Sequence, residues 1–174
     1  MNFPPKLQSL DENILLTIQK FRIRPLTWIM ILFTWTGKGK FWIFISVVMN
    51  VANYFHTIFN PYVLKALFAP LIVWAVNGIV KRKVLRGRPE TCGKGIVPLV
   101  REDPRLSFPS SHSGSTFSFF FILLFLQFSE ARWIGVWAAI VSFSRMYLGV
   151  HYLTDILAGI LVGLFAAVVV FQFA

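Results

Sequence analysis

The last stretch of the chain, Ile156 to Ala174, contains no charged side chain. As a helix such a run is close to the length needed to cross the hydrocarbon core of a bilayer, which takes about 20 residues. Directly before it stands Ser144-Arg145-Met146-Tyr147-Leu148-Gly149-Val150-His151-Tyr152-Leu153-Thr154-Asp155. Ionisable groups set against a membrane span are costly and mark function. Asp155 is the only carboxylate after Glu130. His151 and Asp155 are four apart, so on a helix they share one face, one turn apart. A carboxylate beside an imidazole fixes its tautomer and raises its basicity, which makes a better base or nucleophile. Gly159 and Gly163 repeat at the same spacing, and small residues so placed turn that face toward a packed neighbour.

Other apolar runs fill most of the remaining chain: Phe41 to Phe59, Val63 to Val80, Gly114 to Phe128 and Trp133 to about Ser144. Leu26 to Thr36 is apolar but short, and reads as tilted or half inserted. Asn60-Pro61 and Glu130-Ala131-Arg132 mark turns, and Gly37 to Lys40 a loop. With 56% hydrophobic residues the chain exceeds the roughly 45–50% of a soluble domain. Near the N-terminus, Ser9-Leu10-Asp11-Glu12 reads as a helix start, with Ser9 as cap. Ile14, Leu15, Ile18 and Phe21 then give one apolar side, and Pro25 ends or kinks the helix. The expectation is an all-α integral membrane helical bundle: five to six transmembrane helices plus an N-terminal amphipathic interfacial helix. It forms a single domain over 1–174, with 1–25 interfacial and 81–113 an extramembrane loop.

The net charge of +10 raises nucleic acid as a partner, but the basic residues alternate with apolar runs and build no polar face. Such loops meet anionic lipid head groups instead. One cysteine, Cys92, excludes an internal disulfide. Asp11 and Glu12 interrupt the region where a cleaved signal would need an apolar core.

The one long polar stretch runs from Lys81 to Ser113. Lys81 and Arg88 are seven apart, two helical turns, and Pro89 follows as a helix stop, so the two cations are expected on one helix face. Together they suit a phosphate: Arg offers a bidentate fork, Lys a point charge. Further on, Pro109-Ser110-Ser111-His112-Ser113 opens the next apolar run, and free N–H groups at a helix entry attract anions. Two crossings separate this stretch from Arg145 and His151, which brings both clusters to the same side of the bilayer. His151 and Asp155 have a spacing that a metal could use. Lys81, Arg88 and Arg145 would crowd a metal ion with like charge and suit an anion, so no metal and no cofactor are expected.

Lys81 with Arg88-Pro89, then Pro109-Ser110-Ser111-His112, then Ser144-Arg145 with His151 and Asp155, resembles the three-part signature of the type 2 phosphatidic acid phosphatase superfamily, in its bacterial lipid-phosphatase branch. Order and spacing both match. One position departs: the middle motif usually reads Pro-Ser-Gly-His, and Ser111 stands where the Gly would be. Serine keeps the N–H donor there provided that φ is negative. The resemblance implies that His151 attacks phosphorus to form a phosphohistidine, with Asp155 orienting it. It implies that His112 protonates the leaving oxygen and then helps activate water. Lys81, Arg88, Ser110, Ser111 and Arg145 would hold the phosphoryl oxygens.

The resemblance further implies a metal-independent lipid phosphatase acting on the terminal phosphate of a lipid monophosphate or diphosphate: undecaprenyl diphosphate, phosphatidylglycerophosphate or the 1-phosphate of lipid A. Two alternatives stand beside it, a lipid phosphotransferase using the same intermediate and a small proton-coupled anion transporter. The partners are the bilayer and a membrane lipid phosphate, with no nucleic acid and no assigned oligomer. The place is the bacterial cytoplasmic membrane, multi-pass, with the site at the periplasmic or exterior face. Lys20, Arg22 and Arg24 support that orientation if they lie inside, whereas the basic loop from Lys81 to Arg105 taken by itself points the other way.

Overall fold

The structure is a computed structural model that describes residues 3–55 and 65–173. His56, the end of the first expected full span, the Asn60-Pro61 turn and the start of the next span at Val63 lie outside the described residues. Among these residues the regular structure is helical throughout, with no strand. The helices are α1 (Pro5–Gln19), α2 (Arg24–Thr36), α3 (Gly39–Phe55), α4 (Lys65–Val84), α5 (Ser111–Phe125), α6 (Ala131–Tyr147) and α7 (Leu153–Phe173). Among the described residues, α7 is the helix whose length and apolar character alone suffice for a crossing.

Helix α5 is the central post, packed against α3, α4, α6 and α7. Its closest neighbour is α7, and glycine makes that approach possible. A side chain at Gly159 would run into the carbonyl oxygen of Ser110, and one at Gly163 would stand 2.7 Å from that of Gly114. The spacing of Gly159 and Gly163 therefore does face a helix partner, and Asp155 one turn before is fully buried. Below this seam Trp42, Ala66, Ala69, Phe119, Ile122, Leu123 and Val170 close the apolar core. Large apolar side chains also face outward, among them Trp28, Trp74, Leu161 and Phe165. Such a belt is costly in water and suited to lipid.

Pro70 lies inside α4. It has no N–H for the carbonyl of Ala66, one turn earlier. Ser46 of α3 supplies the missing donor, its hydroxyl 2.8 Å from that oxygen. At the end of the bundle away from the polar loop, Lys65 Nζ donates to the carbonyl of Phe171 in the last turn of α7 at 2.8 Å.

The N-terminal third differs from expectation. Helix α1 starts at Pro5 with Pro4 as its cap, so Ser9 is interior and caps nothing. Proline at the first helical position costs no hydrogen bond and presets φ. Asp11 and Glu12 are buried, not the wet edge of a surface helix. Pro25 ends nothing either; it opens α2, which is a separate helix. Arg22, between them, donates to the carbonyls of Tyr147 at 2.9 Å and Val97 at 2.7 Å. The basic N-terminal segment thus lies at the same end of the bundle as the polar loop. It cannot mark the opposite side, and the support it lent to an exterior-facing site falls away.

Helix α4 stops at Val84, before Arg88. Leu85 takes a left-handed conformation, φ +48, which ends the helix. Lys81 and Arg88 are therefore not on one helical face. Arg88 is extended, at the cap of a short 3-10 turn, Pro89–Cys92. The segment 85–110 then folds back over the ends of α4, α5, α6 and α7 and carries Glu102 to the site.

Candidate active site

Asp155 lies in the first turn of α7. Its carboxylate reaches back to the N–H of Tyr152 at 2.9 Å, half of a capping box, so the helix start itself fixes the side chain. The same oxygen, Oδ2, accepts from the Ser107 hydroxyl and stands 3.4 Å from His151 Nδ1. The other, Oδ1, accepts from Arg86 at 2.6 Å. His151 is not helical: it sits in the turn between α6 and α7, where Gly149 at φ +74 reverses the chain. The four-residue spacing brings the pair together, but by a turn and a cap, not by a shared helix face.

With Nδ1 toward the carboxylate, the lone pair of His151 lies on Nε2, which stands 3.3 Å from Arg88 Nη1. His151 is 2% exposed. Burial, and then the charges of Arg145, Arg88 and Lys81, push its imidazole well below the ordinary value. It is therefore neutral at pH 7, with its Nε2 lone pair turned toward Arg88.

Two guanidinium groups face this ring. Arg88 donates to the carbonyls of Asp103 and Val150, each at 2.6 Å. Arg145, 1% exposed, donates to Thr34 of α2 at 2.6 Å. Glu102 bridges them, with Oε1 2.6 Å from Arg145 and Oε2 3.4 Å from Arg88. Burial by itself would push the Glu102 carboxyl up, but Arg145 and Arg88 outweigh it and hold the group below its usual range. An anion spanning two forks marks where two oxygens of a phosphoryl group could be held. Lys81 donates to the carbonyl of Leu106 at 2.8 Å at the same rim.

The start of α5 forms the remaining wall. Ser111 is in the helix and is not among the residues of positive φ, so the backbone that glycine would permit is not required of it. Its hydroxyl accepts from Asn77 at 3.2 Å. Ser110 departs from the expected role of phosphate ligand. It is fully buried, its N–H donates to the Asp155 carbonyl at 3.0 Å, and its hydroxyl accepts from Ser113. It caps α5 and ties it to α7. The first helical N–H groups, those of Ser111 and His112, have no intrahelical acceptor and remain to meet an anion. Three buried nitrogens at the site, Arg145 Nε, His112 Nε2 and Arg86 Nε, have no partner among the described residues. Buried polar atoms left open in this way mark the place of a ligand.

His151, His112, Asp155, Lys81, Arg88, Ser111 and Arg145 thus converge at one end of the bundle. Sequence reasoning missed Arg86, Glu102, Ser107 and Asp11. Arg86 joins Asp155 to Asp11 of α1, at 2.6 and 2.8 Å, with all three side chains closed to solvent. Its guanidinium lies between the rings of Phe3 and Tyr152, 3.6 and 4.0 Å from their centroids. One signal was present. The chain has only 7 acidic residues against 17 basic ones, and a scarce carboxylate in an apolar setting needs a partner.

The family model of the PAP2 superfamily matches residues 62–174. The chain is 27% identical over 170 residues to phosphatidylglycerophosphatase B of Bacillus subtilis (strain 168), across 91% of this chain and 80% of that protein. It is 34% identical over 94 residues to the lipid A 4'-phosphatase of Bacteroides thetaiotaomicron, across 50% and 42%. Among solved structures, the transmembrane PAP2-type phosphatidylglycerolphosphate phosphatase from Bacillus subtilis aligns with a TM-score of 0.80 at 28% identity, over 98% of this chain and 87% of that one. Aquifex aeolicus LpxE aligns at 0.78 with 18% identity, over 94% and 96%, a likeness of fold.

Proposed function

The chain belongs to the PAP2 superfamily and is a membrane phosphatase, and from this premise we propose that it hydrolyses the terminal phosphate of a lipid monophosphate or diphosphate through a phosphohistidine on His151. The observation that carries the reading is the placement of His151, with Asp155 beside Nδ1, Arg88 3.3 Å from Nε2, and Glu102 bridging Arg88 to Arg145. Nε2 attacks phosphorus, and the P–O bond to the lipid breaks. The leaving oxygen takes a proton from His112. Arg88, Arg145, Lys81 and the N–H groups of Ser111 and His112 take up the charge on the phosphoryl oxygens. Water then attacks the phosphohistidine with His112 as base, releasing phosphate and restoring the imidazole.

The reading needs no metal. Both oxygens of Asp155 already accept from Arg86, Ser107 and Tyr152, so the carboxylate is paired and hydrogen-bonded without a metal ion. Residues 1–174 act as one unit in this reading, with α1 locked to the site through Asp11. We place the site at the exterior face of the cytoplasmic membrane, as the family resemblance implies. Impermeant thiol labelling of an Arg105→Cys variant in whole cells checks that orientation, and protection there reverses it.

Phosphate release from lipid substrates in mixed micelles should persist in EDTA and vanish in His151→Ala, with the variant still folded in detergent. Activity that EDTA abolishes and a metal restores, or near-wild-type turnover without His151, overturns the mechanism.

A further inference from the structure

Beside the phosphate cradle lies a second cavity of about 640 Å³, lined by Lys38, Lys40, Ile43, Leu71, Trp74 and His112, with Ser111 and Ser115 at the α5 side. His112 is a wall of this cavity. The α2–α3 turn comes close to it: a side chain at Gly37 would stand 2.5 Å from Val141 Cγ1 and 3.0 Å from His112 Cδ2, so glycine suits this approach. Lys38 and Lys40 follow directly, both exposed, and neither has a carboxylate partner among the described residues. Ile43, Leu71 and Trp74 make the rest apolar, with Trp74 turned outward, 75% exposed.

The chemistry assigns a direction to this cavity. In an in-line displacement the leaving group departs opposite the nucleophile, and the acid that protonates it marks its path. If His112 is that acid, the cavity that it lines receives the leaving group. An alcohol leaving group gains little from two unpaired ammonium groups. A leaving group that is itself a phosphate carries charge, and cations placed there favour its departure.

We propose that Lys38 and Lys40 bind a second phosphate on the leaving side, so that the substrate class is a lipid bearing two phosphates, joined as a diphosphate or separated by a short polyol, and not a lipid with one. The apolar wall at Ile43, Leu71 and Trp74 takes the start of the hydrocarbon chain. This assignment rests on the roles given above to His151 and His112.

The test uses matched pairs in the same micelles: farnesyl diphosphate against farnesyl monophosphate, and phosphatidylglycerophosphate against phosphatidic acid. The wild type should favour the two-phosphate member of at least one pair by about tenfold or more in kcat/KM, each decade being about 1.4 kcal/mol. The Lys38→Gln/Lys40→Gln variant should lose that preference and keep its monophosphate rate within about threefold. The pair that shows the effect reports whether the phosphates are adjacent or a glycerol apart. A variant that loses equally on both members, or that keeps the wild-type preference, overturns the proposal. A wild type that turns over none of the four, nor lipid A, overturns the phosphatase mechanism instead, so the two failures are distinguishable.

Discussion

Arg86 Nη1 stands 2.6 Å from Asp155 Oδ1, with both side chains closed to solvent, and the same guanidinium reaches Asp11 of α1 at 2.8 Å. The carboxylate behind the reactive imidazole is thus fixed from the far side by a cation that faces no substrate. Buried ions are costly unless paired and further hydrogen-bonded, and here Gln8, Thr154, Ser107 and the Tyr152 N–H add hydrogen bonds to the pair.

Arg86→Gln should therefore act on turnover through Asp155. Partners that orient an active imidazole typically contribute 10–100-fold, and a fall of about that size in kcat is expected with KM little changed. Arg86→Lys, which keeps the charge, should recover part of the loss. A fall confined to folded yield, with normal kcat in the folded fraction, would reduce Arg86 to a structural strut.

Glu102 occupies the two forks that the proposed mechanism gives to the phosphoryl group. In that mechanism its carboxylate competes with substrate, and binding displaces it. Glu102→Gln removes the charge and keeps the shape, so inhibition by orthovanadate should tighten by about tenfold, equivalent to about 1.4 kcal/mol. Weaker inhibition would show that Glu102 serves to aim the arginines and does not compete.

The residues that sequence reasoning reached and those it missed differ in one physical respect. Apolar run lengths make the core helices legible, because the bilayer sets length and composition together. The spacing from Arg145 to Asp155 is local, and it survives although a turn replaces the expected helix. Arg86 stayed invisible because its partner Asp11 lies 75 positions away, and no periodicity encodes a pairing across that distance. The helix drawn through Arg88 failed at Leu85, whose left-handed φ nothing in a leucine announces. Ser110 lies at a helix entry, as its spacing suggests, and there its N–H ties α5 to α7 while its hydroxyl caps α5, contacts that a local motif does not announce.

The pH dependence follows from His151. Its folded value is depressed, so between pH 6.5 and that lower value the unfolded chain binds a proton that the folded chain refuses. Stability is therefore lost as pH falls below the unfolded value, by up to about 1.4 kcal/mol per pH unit. His151→Gln lacks the titrating group. Its melting temperature should fall less than that of the wild type between pH 7 and pH 5 in the same detergent. Parallel curves for the two proteins would mean that His151 titrates normally in the fold.

The α5–α7 seam gives a test with its own control. Gly159 and Gly78 are both helical glycines, and alanine at either gains roughly 0.5–1 kcal/mol of helix propensity. Nothing lies within 4 Å of a side chain at Gly78, so Gly78→Ala should be neutral or slightly stabilising. At Gly159 the added methyl meets the carbonyl of Ser110, a backbone atom that cannot swing aside. Overpacking of this kind costs about 1–3 kcal/mol, so Gly159→Ala should lower the melting temperature. It should also lower kcat, because Ser110 is bonded to the Asp155 carbonyl at 3.0 Å and leads into the turn that carries His112. Equal melting temperatures for the two variants would mean that the helices separate freely, and that glycine at this seam does not set the distance between the two histidines.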